Sequence, residues 1–429
     1  MIFFYKIVTI TFYPLIILLI FFRKLRGKED SERYKEKIFK DSFNVHRNKE
    51  KKLIWFHSAS IGELKSIIPI IEELNKKHTN LEFLITTLTL SAANLAKTEF
   101  KNSQNIQHRF FPADVSFLIK KFLLLWKPSL IFLVDSEIWP NLILNVKKKN
   151  IPLILINARI TSKSFKRWKL VSNSAKKIFS SFDLCLSSNL ETQEYLKELG
   201  ANKISYHGNL KLISRHEENL NSDLNENILK NSNFWCAIST HEGEEEFCLK
   251  VHTKLKENFK NLIMLLAPRH INRINEVKKI CNKYNLDAQI IDKNKLIKKD
   301  KEIILINSFG MLSNFLKHSS SVFVGKSLIK KLKPVGGQNP IEAAKFGCKI
   351  FHGPYVYNFQ EIYDLFKKNN ISKEITDVNY LTNEISKNFK SEKSENLQVV
   401  NFINKLGEET LNRTIKIINP YLTNENIQT

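Results

Sequence analysis

The sequence predicts an α/β protein built from two doubly wound, parallel-sheet halves. Three features predict it. Short apolar runs alternate with helical stretches from Leu53 to about residue 200; a polar stretch without a core pattern, Ser214 to Asn233, interrupts them; the same alternation restarts at Phe234. Apolar strands separated by helices of this length lie parallel, and burial on both faces makes each read as an unbroken apolar run. Two similar halves of this kind imply two Rossmann-like domains facing a cleft.

Taken in order, the chain opens on an apolar run from Met1 to Phe22, with Lys6 as its one charge and Pro14 within it. That length approaches the roughly 20 residues that cross a bilayer. No small-residue cleavage site follows, and Arg23, Lys24, Arg26 and Lys28 come instead. The run therefore reads as an uncleaved anchor helix with the rest of the chain on the cytoplasmic side. A half-inserted, monotopic helix is the alternative, because the run is short and carries Pro14. A charged stretch with a short helix through Glu32 to Phe39 leads out of the anchor.

Strands are expected at Leu53–Phe56, Leu81–Thr87, Ser129–Val134, Pro152–Asn157 and Leu184–Ser187, with helices near 62–77, 91–100, 115–125, 140–149, 163–179 and 190–199. The second half repeats the pattern with strands at Phe234–Ile238, Leu262–Ala267, Ala288–Ile291, Ile303–Ile306, Ser321–Val324 and Lys349–His352. From Asp377 the chain is polar and helical and ends in an Asn-rich tail. This reading divides the protein into an anchor at 1–22, a first domain at 29–212, a linker at 213–233, a second domain at 234–405, and a C-terminal helix and tail at 406–429.

Charge and cysteine usage narrow the partners. The 429 residues hold 67 basic against 43 acidic side chains, a net charge of +24 that favours an anionic partner. Beside an apolar anchor, an anionic membrane face fits this excess better than nucleic acid, and none of the common nucleic-acid module signatures is present. The five cysteines are scattered and odd in number, which fits a reducing compartment.

Four stretches at strand ends carry residues suited to chemistry. In His57-Ser58-Ala59-Ser60-Ile61-Gly62-Glu63 a tight Ser/Gly turn leads into a helix, so Glu63 stands near its first turn at the carboxyl end of a strand, where open α/β sheets keep their sites. Ser60 and Glu63 also have the spacing of a capping box, and the two roles can coexist. Asp135-Ser136-Glu137-Ile138-Trp139-Pro140-Asn141 follows another strand and presents Glu137, for which a cap or a buried ion pair is the plain alternative. Asp135 and Glu137 without a histidine partner make a poor metal site. In the second half Arg269, after Pro268, can fork onto a phosphate. Gly336-Gly337-Gln338-Asn339-Pro340-Ile341-Glu342 reads as a glycine turn entering a helix, with Asn339 as N-cap and Pro340 at the first position, a start that favours an anion.

These stretches, together with Ile156–Trp168, His207–Lys211, Ser239–Glu245 and His352–Phe359, resemble in order and spacing the 3-deoxy-D-manno-octulosonic acid (Kdo) transferases of lipopolysaccharide assembly. The resemblance runs from the anchor to about residue 365. It implies a GT-B glycosyltransferase with CMP-Kdo as donor substrate, no separate cofactor, no metal, and the lipid A precursor lipid IVA as acceptor at the inner-membrane surface. By the family's motifs Glu63 is the general base, while Glu137 and Lys211 act on the transition state. The CMP contacts map to Pro268 and Arg269, to Gly310, Met311 and Leu312, and to Asn339, Pro340, Ile341 and Glu342. The chain departs from the family at Asn307 and Met311, where acids are usual, at Lys326, where a second glycine is usual, in the longer loop at Ile329–Leu332, and at Tyr355, usually His. A lipid-directed GT-B enzyme using another nucleotide sugar, or a silent membrane-tethered binding protein, is the rival reading. Lys163, Lys166, Arg167 and Lys169, interleaved with Phe165 and Trp168, suit a lipid-phosphate surface or an ordinary solvated helix face.

Overall fold

The computed structural model describes residues 1–43, 45–214, 225–292, 295–307, 310–390 and 394–423. The chain forms two compact units: Met1–Arg215 with Leu406–Thr429, and His216–Lys405.

In the first unit the order is α1 (Ile2–Thr11), α2 (Tyr13–Leu25), β1 (Lys52–His57), α3 (Ile61–Lys77), β2 (Leu81–Thr87), α4 (Leu90–Glu99), β3 (Ile106–Phe110), α5 (Ser116–Trp126), β4 (Leu130–Val134), α6 (Pro140–Lys148), β5 (Leu153–Ala158), α7 (Ser162–Lys169), α8 (Ser172–Phe179), β6 (Leu184–Ser187), α9 (Leu190–Glu198) and β7 (Ile204–Tyr206). The strands make one parallel sheet, β3-β2-β1-β4-β5-β6-β7. Alternate residues of a strand point to opposite faces. Accordingly Leu53 and Trp55 of β1 join one core with α5, α6 and α8, while Ile54 and Phe56 join another with α3 and α4. Both faces are dry, which is why the strands read as continuous apolar runs.

The second unit runs α10 (Glu226–Lys230), β8 (Asn233–Thr240), α11 (Glu244–Lys256), β9 (Leu262–Pro268), α12 (Ile274–Lys283), β10 (Ala288–Ile291), β11 (Ile303–Ile306), α13 (Leu312–Leu316), β12 (Ser321–Val324), α14 (Ile341–Lys345), β13 (Lys349–His352), α15 (Gln360–Lys368), β14 (Ser372–Glu374) and α16 (Val378–Lys390). Its parallel sheet has the order β10-β11-β9-β8-β12-β13-β14. The last helix, α17 (Ser394–Thr423), crosses back, and Ile415, Ile418 and Leu422 complete the α3/α4 core of the first unit. Gly407 makes this return possible: a Cβ there would stand 2.7 Å from the Leu212 carbonyl oxygen.

Several expectations need correction. The N-terminal run is two helices bent by 57° rather than one; no single helix among the described residues is long and apolar enough to cross a membrane, while the bent pair together is, by length and composition. The helix expected through Glu32 to Phe39 is a 3-10 turn, Arg33–Lys37. The helix expected at 163–179 breaks at the exposed Leu170. Part of the expected linker is ordered, because Leu229 of α10 is buried and Asn225 Oδ1 accepts the Ile297 N–H at 2.8 Å. Residues 215–224 of that linker, and the tail beyond 423, lie outside the described residues. The helix after Asn339 holds five residues, Ile341–Lys345, with Pro340 at its cap, so its dipole is that of little more than one turn.

Candidate functional site

The strand order of the first unit reverses between β1 and β4, and this switch point is where open α/β sheets accept ligands. Glu63 and Glu137 stand at the carboxyl ends of those two strands. Ser60 caps α3 in extended conformation, its Oγ accepting the Glu63 N–H at 3.5 Å. The Glu63 carboxylate turns back to accept the Ala59 N–H at 2.6 Å and the Ser60 hydroxyl at 3.0 Å. The capping box and a poised carboxylate are thus one arrangement. Burial, reinforced by the charges of Asp135 and Glu137, pushes the Glu63 carboxyl up from 4.5 to about 7, against the pull of its two hydrogen bonds. A carboxyl with that value is half ionised near neutrality and can take a proton there.

Glu137 is held by a chain of donors running back into the sheet. Trp55 Nε1 donates to Thr86 Oγ1 at 2.9 Å, the Thr86 hydroxyl lies 3.0 Å from His57 Nδ1, and His57 Nε2 lies 3.2 Å from Glu137 Oε2. A carboxylate takes only donors, so Nε2 carries a proton toward Glu137, while Nδ1 faces both the hydroxyl and the carbonyl oxygen of Thr86, at 3.0 and 3.2 Å. Trp139 Nε1 donates to the same Oε2 at 2.8 Å. The fully buried His57 ring is stacked on Phe111, centroids 3.9 Å apart. One carboxylate oxygen, Oε2, is thereby fixed twice. Asp135 supports the same turn at φ 60°, a left-handed backbone that costs a non-glycine residue about 1 kcal/mol.

Lys211 lies in the 3-10 turn Leu210–Leu212, which packs against α3. Asn209 Oδ1 accepts the Lys211 N–H at 3.0 Å, and Asn157 Oδ1 accepts the Leu210 N–H at 2.9 Å. The end of β5 and α3 therefore hold this turn, and the three sequence-predicted residues all lie on elements that follow or pack beside the strand ends of the first sheet. His57, Thr86 and Trp139 were missing from that prediction. Two of them stand inside the motifs already singled out, and only the partner strand reveals what they hold.

The second unit's candidates likewise lie at the carboxyl rim of its sheet, whose order reverses between β8 and β12. Pro268 ends β9, and the Arg269 N–H donates to the Thr240 carbonyl at 3.0 Å, leaving an exposed guanidinium. Gly310, at φ 83°, and buried Met311 precede α13, which Leu312 begins. Asn339 caps locally, its Oδ1 accepting the Ile341 N–H at 3.1 Å; Pro340 and Ile341 are buried and Glu342 is exposed. Three motif loops lock together here. Gly337 N donates to Lys326 O at 2.7 Å, Asn358 N to Gly336 O at 2.9 Å, and Tyr355 N to Ser327 O at 2.8 Å. Beneath them the buried Glu244 carboxylate accepts four backbone N–H groups, from His241, Lys326, Ser327 and Leu328, at 2.6–3.0 Å. Lys326 has φ 60°, so the family's second glycine at this position answers a left-handed backbone that lysine adopts under strain.

Two parallel sheets of this order, each with its candidates at the switch-point rim, make the GT-B fold. Solved structures share the fold: a UDP-GlcNAc 2-epimerase from Neisseria meningitidis (TM-score 0.58, 12% identity, covering 87% of this chain and 100% of that one) and a glycosyltransferase from Rickettsia africae (TM-score 0.58, 14% identity, 87% and 100%). The 3-deoxy-D-manno-octulosonic-acid transferase (kdotransferase) family profile matches residues 32–214. A 3-deoxy-D-manno-octulosonic acid transferase of Rickettsia bellii is 31% identical over 367 residues, covering 84% of this chain and 82% of that protein, and one of Haemophilus influenzae is 30% identical over 319 residues, covering 72% of each. The chain belongs to the Kdo transferase family and is a glycosyltransferase.

Proposed function

We propose that the protein is an inverting transferase that moves Kdo from CMP-Kdo to lipid IVA at the inner membrane, its catalytic units on the cytoplasmic face. The observation that carries this reading is Glu63, a half-buried carboxyl held to about 7 at the switch point of the first sheet. Glu63 takes the proton from a primary hydroxyl of the lipid as that oxygen attacks the anomeric carbon of Kdo. CMP leaves from the opposite face, and one displacement inverts the centre. General-base help of this kind is worth on the order of 10² to 10⁴ in rate. Glu137, anchored through one oxygen by His57 and Trp139, keeps the other for the sugar or the attacking group. Lys211 and Arg269 offer positive charge to the carboxylate of the sugar and to the departing phosphate. No separate cofactor and no metal enter this scheme.

In the second unit the CMP-holding role falls to the loops at Pro268–Arg269, Gly310–Leu312 and Asn339–Glu342. Backbone groups at Gly310 serve whatever side chain follows, so Met311 in place of an acid is compatible with that role. The test is incubation of the detergent-solubilised protein with CMP-Kdo and radiolabelled lipid IVA, with and without a chelator, and chromatography of the lipid products. Discrete additions of Kdo mass, undiminished by the chelator, are expected. Retained CMP binding without any product from lipid IVA would overturn the acceptor assignment.

A further inference from the structure

The first 25 residues are apolar on their outward face as well as on the face that meets the protein. Hydroxyl groups of α1 and α2 point toward the protein: Tyr5 donates to Asp114 Oδ2 at 3.0 Å, Thr9 Oγ1 accepts from Asn141 Nδ2 at 3.2 Å, and Tyr13 donates to the Ile38 carbonyl. Large apolar side chains point away from it, among them Phe3, Phe4, Phe12, Leu15, Leu19 and Phe22, each about half or more exposed. A water-facing helix pair would carry polar side chains on that outward face. The apolar surface continues onto α5 through the exposed Phe117 and Leu124, with Tyr13 set edge-on against Phe117 at 5.1 Å.

The pair is also fastened to the first unit at its start, bend and end. Asp114, which holds Tyr5, is buried and accepts the Asn141 and Leu142 N–H groups at 2.9 and 2.8 Å, so the same carboxylate caps α6. At the far end Ile20 is buried against Tyr34 and Ile38, and Arg23 pairs with Glu29 at 2.6 Å. A span would need the first helix to leave the protein and continue along the axis of the second for about 30 Å. Here α1 and α2 are about 15 and 20 Å long at 1.5 Å per residue, together enough to span by length and composition, but they diverge by 57° and both are tied to the unit. Lys6 lies within electrostatic reach of Lys120, Lys148 and Lys177, from α5, α6 and α8, so four positive charges gather around α1.

We propose that α1 and α2 form an in-plane seat: the apolar face enters one leaflet of an anionic bilayer, the lysines around α1 meet the headgroups, and Met1 stays on the same side of the membrane as the catalytic units. Interfacial helices bind in this way, by apolar area together with attraction to anionic lipid. The inference rests on the membrane association proposed above and fixes its topology.

The full chain carrying an epitope tag before Met1 and a second after Thr429 tests it in cells. Both tags are expected in the membrane fraction, protected from protease in intact spheroplasts and digested in inverted vesicles. Digestion of the Met1 tag alone in spheroplasts would establish a span and overturn the seat while leaving membrane association standing. Recovery of the protein outside the membrane fraction would overturn both. In flotation with phosphatidylglycerol vesicles, Leu15→Glu combined with Leu19→Glu is expected to lower binding at least tenfold, and Lys120→Glu combined with Lys148→Glu at least threefold. Unchanged flotation of both variants would refute the seat.

Discussion

Replacing Glu63 by Gln separates the cost of a buried carboxylate from its use. The amide keeps an oxygen to accept from Ala59 N and is nearly the same size, so the α3 cap survives. What it loses is ionisation. Raising a carboxyl from 4.5 to about 7 corresponds to at most about 3 kcal/mol withheld from the ionised form in the fold. Because the folded state binds this proton more tightly, the contribution is fully present below about pH 4.5 and is lost as pH rises through about 7. The Gln variant, which does not titrate, is therefore expected to match wild type near pH 4 and to exceed it by up to about 3 kcal/mol near pH 8.5. For a unit of this size that is on the order of 6 to 12 °C in melting temperature. Thermal melts followed by Trp fluorescence at the two pH values read it directly. Transfer by the variant should fall on the order of 10² or more, with CMP binding kept. Wild-type transfer should rise with pH through about 7 as Glu63 ionises. An equal stability difference at both pH values would refute the burial argument, and retained turnover would refute the base.

Further predictions concern groups around the two rims. Trp139→Phe keeps the ring and removes one N–H from Glu137, so turnover should drop roughly tenfold with unchanged CMP affinity; equal turnover would show that His57 alone holds the carboxylate. Glu244→Gln turns an amide nitrogen toward backbone donors, and a loss of about 3 kcal/mol in urea denaturation is expected, against an unchanged midpoint if the loop is held otherwise. Lys326→Gly relieves a left-handed lysine while keeping both backbone hydrogen bonds and should stabilise the protein by up to about 1 kcal/mol; clear destabilisation would show that the lysine side chain supports the loop.

The sequence alone determined the two parallel α/β halves, since strands buried on both faces leave apolar runs that local reading detects. It also placed Glu63 and Glu137 at strand ends, because the turn residues and Pro140 mark where each strand stops. Three strands escaped it: Ile106–Phe110, Ser372–Glu374 and Ile204–Tyr206. All lie at sheet edges, where half of the residues meet solvent and the apolar pattern fades. The bend after Thr11 and the break at Leu170 escaped for another reason, since local apolar spacing continues through both.

Only the tertiary structure decided which strands are neighbours. Setting β1 beside β4 brings His57 within reach of Glu137, 80 residues away, and surrounds Glu63 with the charges that raise its proton affinity. It likewise revealed the bend within the run read as an anchor and the contacts of that run with Asp114 and Asn141. Spacing along a chain reports how each residue meets water. The hydrogen bonds and charges that tune a site depend on what lies across the sheet, and that is fixed when the strands assemble.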